Sequence, residues 1–321
     1  MNLASFPAHT PIAVQTRGEK VESVHFGSLV ALDAAGEIVV QRGEPSGLMY
    51  PRSALKPLFA VAMVRAGLAL PAEQLALAAA SHSGSADHRD TAAKILAEAG
   101  VEAAVLGNST DLPYGLVERE AWIREGNGAT QLAQNCSGKH AAMLATCVLN
   151  GWDTATYLQH EHPLPTLMRE VVEELTGEPI TVISTDGCGT EVFALSLTGM
   201  ARAFSALVTA AVGSAEHQVA AAMRAYPEMV AGEGRDVTEL MRAVPGLLAK
   251  DGFEGIQFIA LDDGSAVALK VADGSDRARM PAAVPALEAL GVNPELLIPF
   301  NNLSVLGGGH NVGTLSGLPL P

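Results

Sequence analysis

The feature that most limits the fold of this chain is a change of hydrophobic period that happens twice. Residues 23–32 and 37–40 are rich in β-branched and apolar residues, with Asp33-Ala34-Ala35-Gly36 as a turn, so 11–42 read as a strand pair. From Ser53 to about Leu175 the spacing becomes helical. Leu58, Val61, Ala62, Arg65 and Ala66 make one stripe that Gly67 ends, and further helices are expected at 71–80, 90–99, 132–149 and 165–175. Helical patterns continue at 213–225 and 236–244. Strands return at 254–262 and 265–271 around the Asp263-Gly264 turn signal, followed by a helix at 280–290 and a last strand near Leu303. Strands at both ends of a chain with a long helical excursion between them are best buried in one antiparallel sheet, completed by both ends, with the helices as an inserted lobe. The expected class is α+β. A single domain, 1–321, would have a sheet lobe from about 11–50 and 250–321 and a helical lobe at about 53–249.

Composition narrows the partners. The chain has 321 residues, 48% of them hydrophobic, which is enough for a sizeable core built mainly from small aliphatics, since aromatics make up only 4%. A net charge of −15 with no basic run argues against nucleic acid and anionic membrane surfaces. No stretch of bilayer-spanning length is evident, and the first residues lack a charged region followed by an apolar one, so a cytoplasmic protein is expected. Three cysteines, Cys136, Cys147 and Cys188, do not make a disulfide framework and leave catalysis or metal binding open.

Tyr50-Pro51-Arg52-Ser53-Ala54-Leu55-Lys56-Pro57 joins the first strands to the helical stretch. A helix starting at about Ser53 puts Lys56 one turn on, on the same face. A hydroxyl becomes a useful nucleophile when a base takes its proton, and a lysine among other cations in a dry pocket can be that base. An ordinary polar helix start has the same spacing, so the motif needs partners. Four clusters offer them. Ala80-Ser81-His82-Ser83-Gly84-Ser85-Ala86-Asp87-His88 crowds serines and histidines onto a loop. Gln134-Asn135-Cys136-Ser137-Gly138-Lys139-His140 precedes an apolar helix, whose N-terminal N–H groups suit an anion and lower a thiol pKa. Ser184-Thr185-Asp186-Gly187-Cys188-Gly189-Thr190 reads as a tight turn where the backbone approaches something closely. Lys250-Asp251-Gly252 enters the C-terminal strand pair. Cys136 and Cys188 are two soft ligands for a metal such as zinc, with Lys139 a third only when deprotonated. Cys147 lies inside an apolar helix and reads as core.

Taken together these stretches resemble the bacterial asparaginase II family of the rhizobial thermolabile type. The resemblance is carried by Arg52-Ser53-x-x-Lys56-Pro57, Ala80-Ser81-His82-Ser83, Asn135-Cys136-Ser137-Gly138-Lys139-His140, Asp186-Gly187-Cys188, Pro227 to Arg235, and Lys250-x-Gly252. They occur in family order. The resemblance implies a serine β-lactamase/glutaminase-like fold and hydrolysis of L-asparagine, with Ser53 as nucleophile, Lys56 as its base and Ser81 with Lys250 as a second pair. It also implies Arg52, His82, Asp186 and Gly187 at the substrate, zinc held by Cys136, Lys139 and Cys188 without being essential to the chemistry, and a homodimer. Two departures stand out. Thr190-Glu191 follows the Cys188 turn where the family usually has an apolar residue and proline, and the Gly-rich segment Leu306 to Gly313 matches only loosely.

Other readings have their own signatures. A glutaminase would use the same nucleophile in a pocket one methylene longer, a difference worth only about 1–3 kcal/mol. A β-lactam hydrolase would need a Ser-x-Asn or Tyr-x-Asn element that no plausible position supplies. A cysteine hydrolase would pair Cys136 with His140, and a zinc-binding module without activity would lose stability on chelation.

Overall fold

The computed structural model describes residues 7–320. Its strands are β1 (Thr10–Arg17), β2 (Lys20–Leu32), β3 (Ile38–Arg42), β4 (Ile183–Thr185), β5 (Glu191–Phe193), β6 (Leu248–Gly252), β7 (Ile256–Ala260), β8 (Ala266–Val271), β9 (Leu303–Gly307) and β10 (His310–Gly317). The architecture is α+β, and the chain divides into two compact units. One comprises residues 1–54, 194–209 and 240–321, and the other residues 55–193 and 210–239.

The first unit is built on an eight-stranded antiparallel sheet in the order β6-β7-β8-β2-β1-β10-β9, with β3 also paired to β2. Both chain ends complete it, as expected, because β10 pairs with β1 at Ala13↔Gly317. The long strand β2 organises it. Its first half pairs with β1, and from Leu29 to Leu32 that side pairs with β3 while the other side pairs with β8. Gly27 marks the change. A Cβ there would overlap Lys270 O and Ile12 Cδ1, so only glycine allows strand and neighbour to approach this closely. Every residue of β7 is buried, the pattern of a strand covered on both faces.

Two sequence expectations are corrected here, and the Gly-rich segment is placed. Residues 11–42 form three strands, because Gly18, at φ +55°, closes a turn that β-propensity alone does not reveal. Lys250 lies within β6, a third strand beside the expected C-terminal pair. The Gly-rich segment near residue 307 is the β9–β10 hairpin, with Gly308 and Gly309 at φ +58° and +83°. The helix Leu197–Thr209 clusters with the sheet despite its helical surroundings in sequence. Its buried Met200, Phe204 and Leu207 face β2, β7 and β8, and Phe204 meets Phe258 at 5.4 Å between ring centroids.

The second unit is helical apart from the β4–β5 hairpin. Lys56–Arg65 packs against Ser137–Asn150, Pro163–Thr176 and Ala215–Ala225, while Ala72–Ala78 packs on Ser137–Asn150 and Ala215–Ala225. Alanines and one glycine allow this density. A Cβ on Gly138 would overlap Leu77 Cγ and lie 2.7 Å from Leu77 O. Arg65 ties three helices together, with Nη1 2.6 Å from Glu174 Oε2 and Nη2 2.5 Å from Glu216 Oε1. No described helix is long and apolar enough to cross a membrane.

Candidate active site

In the sheet unit, the chain leaves the Met49–Leu195 bridge and enters the short 3-10 turn Arg52–Leu55. Arg52 has φ +53°, a conformation rare for a residue with a side chain, which costs on the order of 1–3 kcal/mol and persists only where the surroundings enforce it. Its guanidinium stands 5.8 Å from the Phe253 ring centroid. The next residue, Ser53, is buried. Strand β6 runs against this turn: a Cβ on Gly252 would overlap Pro51 O, so glycine is what lets the two backbones meet. On the same strand Lys250 is wholly buried, and its Nζ donates to Asp251 O at 2.7 Å and pairs with Asp251 Oδ1 at 2.6 Å. Predicted Arg52, Ser53 and Lys250 thus belong to one neighbourhood of β6 and the turn beside it.

Lys56 begins the helix that follows the Ser53 turn and is buried in the helical unit. Its Nζ donates to Ala80 O at 2.6 Å, Ser81 Oγ at 3.1 Å and Asn135 O at 3.5 Å. The serine loop is held as a strap on both sides. Ser81 N–H and Ser83 N–H donate to Val230 O and Ala231 O, and His82 N–H donates to Asn135 O. His82 is buried with Nε2 2.9 Å from Ser137 Oγ and its ring stacked on His88 at 4.9 Å. Burial first, then the charges of His88 and Lys56, hold its pKa well below the usual imidazole value.

The three predicted metal ligands also converge. Lys139 Nζ lies 3.2 Å from Cys188 Sγ and hydrogen-bonds to Thr190 Oγ1, and Cys136 Sγ lies 3.2 Å from Asn135 Oδ1. The two thiols share a hydrogen bond that raises the pKa of Cys136 and lowers that of Cys188, and Lys139 and His140 add to the second effect against burial. Burial works against the Lys139 charge, yet Cys188, Cys136 and Asp186 together lift its pKa. The arrangement sets the Lys139 amine against the Cys188 sulfur, with Cys136 beside it. Among the described residues no group of three or more His, Cys, Asp or Glu is placed for a metal. Two sulfurs and an amine make a donor set that suits zinc once Lys139 and both thiols give up their protons.

Other predicted residues behave differently. Gly187 is exposed and a Cβ there would meet nothing within 4 Å, so no close approach demands it; the turn's need is met by Gly189 at φ +90°. Asp186 organises that turn, accepting from Gly189 N–H at its carbonyl and from Gly187 N–H at Oδ1. His140 points to Tyr157 Oη at 2.7 Å and Thr190 Oγ1 at 3.3 Å, and burial followed by Lys139 brings its pKa to about 4, which does not make it a base for Cys136. Cys147 is buried, and burial followed by Asp153 pushes its thiol up to about 12. Sequence reading gave Asn135, Tyr157 and Thr190 no role of their own. Tyr157 carried no signal, whereas Asn135 lay inside a motif and Thr190 at a departure from the family pattern. Its neighbour Glu191 turns the other way, to His160 Nδ1 at 2.5 Å and Arg169 Nη1 at 2.9 Å.

A family profile described as L-asparaginase II matches residues 13–316. No curated relative matches the chain in sequence. Among solved structures, the chain is similar to EstCE1, a hydrolase with promiscuous acyltransferase activity, at 13% identity and TM-score 0.45, over 82% of this chain and 93% of that one. It is also similar to a beta-lactamase from Mycobacterium bovis at 14% identity and TM-score 0.37, over 78% and 88% of the two chains.

Proposed function

The chain belongs to the L-asparaginase II family, and we propose that it hydrolyses L-asparagine to L-aspartate and ammonia through an acyl-enzyme on Ser53. The observation that carries this reading is the Lys56 contact: a buried amine one helical turn after Ser53, 3.1 Å from Ser81 Oγ, with main-chain carbonyls as its other partners. Lys56 takes the Ser53 proton as Oγ attacks the side-chain amide carbon. The C–N bond then breaks and that proton leaves with ammonia. Water attacks the ester carbon, Ser53 regains its proton and aspartate is released. Ser81, in contact with Lys56, gives the proton a second hydroxyl to travel through, and Lys250 with Asp251 supplies buried charge beside the turn of Ser53. Arg52 adds positive charge next to the nucleophile, and His82, Asp186 and Gly187 shape the substrate side of the site. Zinc would be held by Cys136, Lys139 and Cys188, where it would add positive charge that polarises a nearby carbonyl.

Ammonia release from L-asparagine and, separately, L-glutamine, by wild type and Ser53→Ala, tests the proposal. Fast release from asparagine that Ser53→Ala abolishes supports both activity and nucleophile. Activity that survives the substitution moves the chemistry to another group, and release from neither amide sinks the reading.

A further inference from the structure

We infer that Thr190 is a positioning residue whose hydroxyl locks the Lys139 amine against Cys188; its expected effect on turnover rests on the asparaginase reading above. The assignment follows from counting protons and lone pairs. Tyr157 Oη accepts the Gly107 N–H at 2.8 Å, so its own proton faces His140 Nδ1, 2.7 Å away. That leaves His140 Nε2 as a donor, shared between Thr190 Oγ1 at 3.3 Å and the Cys188 sulfur. Thr190 Oγ1 also accepts from Lys139 Nζ, which fills its two acceptor positions. Cys188 Sγ lies 3.5 Å from the same oxygen. The run Gly107–Tyr157–His140–Thr190 has one consistent direction, and the Lys139 amine bridges its end to Cys188.

The backbone leaves the hydroxyl little room to drift. Thr190 is buried, its carbonyl accepts from Asp186 N–H at 2.8 Å, and the following Glu191 is anchored outward by Arg169 and His160. An apolar side chain of the same shape would fill the space but remove one acceptor and one donor. Lys139 and His140 would each keep Cys188 as a partner and lose Thr190.

The test compares Thr190→Val, which keeps the shape, with Thr190→Ser, which keeps the hydroxyl, in a chelating buffer. With 15N-labelled lysine, the Lys139 Nζ–H protons should give an exchange-protected NMR signal in wild type and Thr190→Ser, identified by its loss in Lys139→Met. Thr190→Val should lose or shift that signal. Its kcat for asparagine should fall roughly tenfold to a hundredfold, the effect of one hydrogen bond to a charged group, while KM changes less than about twofold. Thr190→Ser should restore most of kcat. An unchanged signal or an unchanged kcat in Thr190→Val overturns the proposal, as does the absence of the signal from wild type or its equal loss in Thr190→Ser. If the signal responds as expected while wild type releases no ammonia, the placement of Lys139 by Thr190 stands and the asparaginase reading falls.

Discussion

Lys56 and Lys139 are both buried in the helical unit, yet they are surrounded by opposite chemistry. Lys56 Nζ meets two main-chain carbonyls and the Ser81 hydroxyl, acceptors that carry no formal charge. Lys139 Nζ meets the Cys188 sulfur and the Thr190 hydroxyl, and Cys188 with Asp186 lifts its pKa against the effect of burial. Uncharged acceptors hold the Lys56 amine beside a hydroxyl, whereas the Cys188 sulfur favours the charged form of Lys139. On the proposed mechanism the difference is a division of labour: Lys56 moves protons and Lys139 sets the field in which they move.

Lys56→Met should break this comparison most sharply. Loss of a base lowers turnover about 10²–10⁴-fold, measured as ammonia release at saturating asparagine, with the circular dichroism spectrum unchanged. Lys139→Met should act chiefly on the fold. Removing one partner of a buried ion pair costs on the order of 3–5 kcal/mol, read from the urea midpoint; equal losses of turnover in the two variants would erase the distinction. Gly138→Ala forces a methyl into Leu77, where the Lys139 helix meets the helix leading to Ala80, and should cost about 1–3 kcal/mol with weaker turnover, because both lysine environments shift together.

Acid should produce the most gradual change. His82 and His88 both have folded pKa values lowered from 6.5, first by burial, so the unfolded chain binds more protons than the folded one below that pH. Their contribution is complete above about pH 6.5 and is lost as pH falls below it, by up to about 1.4 kcal/mol per pH unit for each group. Urea midpoints between pH 7.5 and 5 should fall for wild type and fall less steeply for His82→Gln. Parallel slopes would mean that His82 is not held neutral.

How much of this was legible in the sequence depends on where the information lies. The two-ended sheet could be read because the hydrophobic period changes from strand to helix and back. Ser53, Lys56, Ser81, Cys136, Lys139 and Cys188 stood out because several motifs, each weak alone, occur together in the order of the asparaginase II family. The role of Thr190 could not be read, since it depends on Lys139 and His140, some fifty residues away. Strand β1 was hidden by Pro11 and by polar Gln15 and Thr16. The helix Leu116–Arg124 left no pattern because none of its residues is buried, so no apolar face marks it. Lys250-Asp251-Gly252 was legible only as the entry to the C-terminal strands, because Gly252 serves a close approach to Pro51, which is distant in sequence.

The pairing of β1 with β10 has a consequence for synthesis. The edge of β1 near Ala13 gains its partner at Gly317 only after almost all the intervening chain has been made, on the order of tens of seconds at typical elongation rates of about 5–20 residues per second. Through that interval the first hairpin must keep an unpaired edge from other nascent chains, while the helices that follow it have their packing partners at hand much sooner. A ribosome stalled before residue 310 would therefore carry a helical segment able to fold and a sheet that cannot close, and chaperone occupancy should concentrate on residues 10–32.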